Sequence, residues 1–118
     1  MITMEQVDRY FEARSALSKA AKSDKSLADL EAVEAETEAQ HATRVAANSK
    51  AVAILARAGT TPEEFAHMAR LLPAAYVAYS MLLSGPVTKL PEGIDPALVD
   101  FMRIHGAEVA AKAKALMY

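Results

Sequence analysis

The chain has no cysteine and no tryptophan, and only four glycines and five prolines among its 118 residues. Without cysteine there is no disulfide framework, thiolate metal site or thiol nucleophile. No glycine-rich phosphate cradle is present either. Charge of one sign is also missing. Thirteen basic residues against fifteen acidic ones leave a formal charge of −2, which gives no general attraction to nucleic acid or to an anionic membrane. Long hydrophobic runs are absent as well: the most apolar stretch, Leu71 to Leu83, contains Pro73 and falls short of the roughly 20 residues that span a bilayer. Met1 to Phe11 carries Glu5, Asp8 and Arg9 where a secretory signal needs an apolar stretch. The expected location is cytoplasmic if Met1 is the native start, and periplasmic or secreted if the chain is a trimmed mature form.

What the sequence does have is apolar content, 53%, enough to bury one core, so a single domain over residues 1–118 is expected. Abundant alanine and the lack of alternating strand patterns predict an all-α fold: a compact, up-and-down-like bundle of four to five helices. The first helix starts at Thr3, where Gln6 completes a capping box, and turns Val7, Tyr10, Phe11 and Leu17 to the core, with Arg14 on the same stripe. The polar run Ser23 to Ser26 ends it. A second helix is expected from Leu27, continuing as far as Gly59 or breaking at Asn48 and Ser49, which cap helix starts well. Thr61 and Pro62 open the third helix, with Glu64 placed for a capping box. Its stripe of Phe65, Met68, Ala69, Leu72, Tyr76, Tyr79 and Leu83 runs through Pro73, so a kink is expected near residues 69–73 rather than a stop. Ser84 to Asp95 reads as a crossing loop anchored by Val87, Leu90 and Ile94. Asp95 and Pro96 then open the last helix, whose core face is Leu98, Met102, His105, Val109 and Leu116.

Basic Arg14, Lys19, Lys22 and Lys25 precede acidic Asp29, Glu31, Glu34, Glu36 and Glu38, so a fold-back at Asp24 aligns complementary, solvated faces. Two Glu-x-x-His pairs, Glu38 with His41 and Glu64 with His67, have the form that builds di-iron or di-manganese sites in helical bundles, with Glu5, Glu12 and Glu108 as further carboxylates. Antiparallel packing about Gly59 separates the two histidines by about 15 Å in height at 1.5 Å per residue, unless the chain breaks at Asn48. The expectation is therefore no bound metal and no cofactor, with a metal-dependent bundle oxidoreductase as the enzymatic alternative. His105 with Glu108 one turn away has the form of an acid/base pair but lacks a nucleophile, so a histidine bonded at the core edge is expected. Val52 to Leu72 has the outline of a helix-turn-helix. Glu63 and Glu64 stand where a recognition helix meets phosphate, so no nucleic-acid partner is expected.

The region after Pro73 is apolar nearly all round: Tyr76, Val77, Tyr79, Met81, Leu82 and Leu83 cannot all face one neighbouring helix. Two readings follow. Either the third helix is the centre of the bundle, or these residues form an apolar interface or pocket. The preferred function is accordingly non-catalytic: a binding or interaction module, partnered by itself as a homodimer, by another protein, or by a small apolar ligand.

The segments AGTTPEEF (58–65) and LPEGIDPALVDFMRIHGAE (90–108), with Phe101 and His105 four apart, together resemble a group of small bacterial secreted proteins of unknown function. That resemblance implies an all-helical bacterial domain and carries over no catalytic residue.

Overall fold

The computed structural model describes residues 2–28, 30, 31, 33, 35–85 and 94–117, with the main chain alone at 116 and 117. The described residues form five α-helices and no strand: α1 (Met4–Ala21), α2 (Glu38–Ala46), α3 (Ser49–Arg57), α4 (Pro62–Ser84) and α5 (Pro96–Met117), with one 3₁₀ turn at Lys25–Leu27. They pack into one bundle with a radius of gyration of 14.9 Å.

Local chemistry accounts for the helix starts. At α1, Thr3 accepts from the Gln6 amide (3.2 Å) while the Gln6 side chain accepts from the Thr3 amide (2.9 Å), so two otherwise unpaired donors are satisfied at once. Asn48 caps α3 by accepting from the Lys50 and Ala51 amides, and Thr61 caps α4 with Pro62 at its first position. Asp95 accepts from the Ala97 amide at the start of α5. Between α3 and α4, Gly59 takes φ 83°, and this left-handed residue lets the Thr60 amide return to the Leu55 carbonyl (2.9 Å) and the Gly59 amide to Ala56 (3.0 Å). These are the two bonds that close a Schellman turn.

The expected helix from Leu27 does not form. After the 3₁₀ turn none of the described residues before Glu38 is helical, and a second capping box, Thr37 with Gln40, starts α2 there. Leu27 and Leu30 are buried and pin this connecting segment to the core. Long-range bonds hold it further: Arg44 reaches the Glu36 carboxylate (2.8 Å), and Arg70 of α4 donates to the Glu36 carbonyl (2.8 Å). Asp24, capping the 3₁₀ turn through the Ser26 amide, is also bound by Lys50 of α3 (2.6 Å). Of the complementary pairs expected across the fold-back, Arg14–Glu31 forms at 2.8 Å. Glu36 and Glu38 instead turn to Arg44 and His67.

α4 is the central helix and contacts α1, α2, α3 and α5. Val7, Phe11, Leu17, Leu55, Phe65, Met68, Leu72, Met102 and Val109 form the heart of the core. Helical geometry continues through Pro73, although proline denies the Ala69 carbonyl its usual donor. The predicted stripe is buried or half-buried from Phe65 to Tyr79. Leu83 departs from it at 71% exposure. Of the crossing loop's three expected anchors, Val87 and Leu90 lie outside the described residues and Ile94 is half-buried. Leu116 has no described side chain.

Candidate functional site

Helices meeting through alanine leave space that larger side chains would fill. Ala69 on α4 and Ala110 and Ala113 on α5 face α1 across a cleft of about 580 Å³, floored and walled by Tyr10, Phe11, Leu72, Pro73 and Tyr76. Arg14 of α1 and Lys114 of α5 complete the lining. Among the described residues no carboxylate, histidine, serine or threonine contributes to it, and its polar side chains are two phenols and two cations. Burial pushes the Tyr10 phenol up from its ordinary pKa, against the pull of the neighbouring Arg14 cation. Arg14 also borders a smaller recess of about 320 Å³ beneath the connecting segment, where Leu27, Leu30 and Phe65 meet Glu31. Its ion pair with Glu31 therefore stands between the two spaces.

The six residues singled out after Pro73 separate in space. Tyr76 lines the cleft. Tyr79 and Leu82 pack on the core, and the Tyr79 ring lies so close over Gly106 of α5 that a Cβ there would fall 2.3 Å from its Cδ1. Met81 is half-buried, while Val77 and Leu83 are exposed. One side of this half-helix thus belongs to the bundle, another to the cleft, and a third to solvent.

No family model, curated protein or solved structure matches the chain. The site is accordingly read from its own geometry.

The two Glu-x-x-His pairs touch at one contact, Glu38 to His67, where an unbroken second helix would set the histidines about 15 Å apart in height. The break at Asn48 lays α2 against α4, so that Glu38 binds His67 across the contact at 2.9 Å. His41 is fully buried. Its Nε2 lies 2.7 Å from the Leu30 carbonyl, and its Nδ1 accepts from the Arg70 guanidinium at 2.9 Å. Because a carbonyl can only accept, the proton sits on Nε2, and both ring nitrogens are engaged. Glu64 does not complete the capping box; its carboxylate is taken by Arg9 of α1 (2.7 Å) and by the Thr60 hydroxyl (3.0 Å). Among the described residues no three His, Asp or Glu side chains gather as a metal site. Among the described residues His105 has no hydrogen-bond partner of the kind expected at the core edge and packs on Phe101, one turn back, with ring centroids 4.9 Å apart. Glu108 lies 3.5 Å from Lys112, which also binds Asp8 of α1.

Sequence reasoning found Tyr76 but not the opposite walls of the cleft. Arg14 carried the available signal, being a cation within an otherwise apolar stripe. Ala110 and Ala113 carried none, since alanine in a helix reads the same whether it closes a gap or leaves one.

Proposed function

We propose that this protein is a non-catalytic binding module that takes a small, largely apolar molecule into the cleft between α1, α4 and α5. The observation that carries this reading is the cleft itself: about 580 Å³, predominantly apolar, with a few polar groups among its walls. Ligand sites commonly fall within about 300–1,000 Å³ and have this make-up. Among the described residues the lining offers no carboxylate or imidazole for proton transfer and no hydroxyl nucleophile beside a base, which supports binding over catalysis. The uncharged fluorophore N-phenylnaphthylamine tests it. Its emission should rise and saturate at one probe per chain, and Ala110→Trp, which fills the cleft, should abolish the rise. A folded Ala110→Trp protein that binds as well as the parent overturns the assignment.

Self-association is the second reading, favoured by the exposure of Val77 and Leu83 on α4 and of Ile104, 76% exposed, on α5. Light scattering at micromolar concentration should then give twice the chain mass, falling to one chain mass for Leu83→Glu. A strict monomer ends this reading and leaves the cleft untouched.

A further inference from the structure

Among the described residues the cleft's charges are all of one sign, and this restricts what it can hold. Apart from apolar side chains and two phenols, its described lining contains Arg14 and Lys114, which stand on separate helices. Arg14 is shared with the exposed carboxylate of Glu31, a pair that solvent screens and that contributes little by itself. Lys114 is exposed and has no ion pair among the described residues. On α4 the lining runs from Ala69 to Tyr76, about 10 Å at 1.5 Å per residue, matching a medium-length acyl chain. A wholly apolar occupant would leave Lys114 without a counter-charge, and a cationic one would meet repulsion from Lys114 and Arg14.

Building on the proposed binding role, we infer that the occupant is a medium-chain fatty carboxylate, its chain between Phe11, Leu72 and Tyr76 and its head group against Lys114 and Arg14. The charge-assisted contact supplies orientation, and burial of the chain supplies most of the affinity.

Calorimetric titration of the full chain with decanoate, decanol and decyltrimethylammonium tests the inference. Decanoate should bind one per chain, about tenfold tighter than decanol, with no uptake of the cation. Lys114→Met should narrow the preference for decanoate over decanol, and an unchanged preference overturns the Lys114 contact. Equal binding of decanoate and decanol, or tight binding of the cation, overturns the carboxylate assignment and leaves the apolar cleft standing. Failure of both decanoate and decanol to bind overturns the binding role together with its ligand class.

Discussion

Replacing Gly106 by alanine places a methyl group 2.3 Å from Tyr79 Cδ1 and 2.4 Å from Cε1, well inside contact distance. Two effects of opposite sign then compete. Alanine is the better helix former, which favours the variant by about 1 kcal/mol. Overpacking a filled contact costs about 1–3 kcal/mol, since the Tyr79 ring must leave the core or α5 must move away from α4. The net expectation is a loss of about 1 kcal/mol, which for 118 residues lowers the melting temperature by about 4 °C. Truncating Tyr79 removes the obstruction, so Gly106→Ala introduced into Tyr79→Ala should instead stabilise by about 1 kcal/mol. The double-mutant cycle thus predicts a coupling of about 2 kcal/mol and a reversal of sign. Urea unfolding followed by circular dichroism measures all four proteins. Stabilisation by Gly106→Ala in the parent chain, or additivity of the two changes, would show that the ring does not rest on Gly106.

Further expectations concern the polar contacts around α2. His41→Leu leaves the Leu30 carbonyl and an Arg70 donor unsatisfied inside the protein and should cost about 3 kcal/mol in urea unfolding; a loss below about 1 kcal/mol would refute the buried linkage. Thr37→Ala removes the cap of α2 and should cost about 1 kcal/mol, measured the same way. Glu36, bound by Arg44, and Asp24, bound by Lys50 and Ser26, are each held down at about 2, from ordinary values of 4.5 and 3.8. Between those values the unfolded chain binds the extra protons, so their stabilisation is complete above pH 4.5 and is lost as pH falls through about 2. Melting temperature followed down that range should fall less steeply for Glu36→Gln, and an unchanged slope would count against the Arg44 pair.

The parts of the fold legible in the sequence are those decided within a few residues. Thr3 with Gln6, Asn48, Thr61 with Pro62, and Asp95 with Pro96 each open a helix where their side chains or fixed φ angles favour one. The burial of Val7, Phe11, Phe65 and Met102 follows from helical period alone. The second helix starts later than the lack of proline and glycine after Leu27 suggests, because Thr37 and Gln40 spell a start of their own. The positions of Leu30, Glu31 and Glu36 could not be read, because what holds them comes from His41, Arg44 and Arg70, and much of it ends on carbonyl oxygens that no residue type announces. The cleft was half legible for a related reason. Tyr76 sits on a conspicuous apolar run, whereas the empty volume depends on three alanines from two helices converging opposite α1.

Carbonyl-directed bonding also shapes how this chain is able to vary. Arg44 and Arg70 grip main-chain oxygens of Glu31 and Glu36, and His41 grips that of Leu30. Such anchors are blind to side-chain identity but not to spacing. Exposed positions in the stretch can exchange residues freely while the anchors hold, whereas inserting or deleting one residue shifts every oxygen relative to its donor. Related chains should therefore drift in composition between α1 and α2 while keeping the length of that interval fixed.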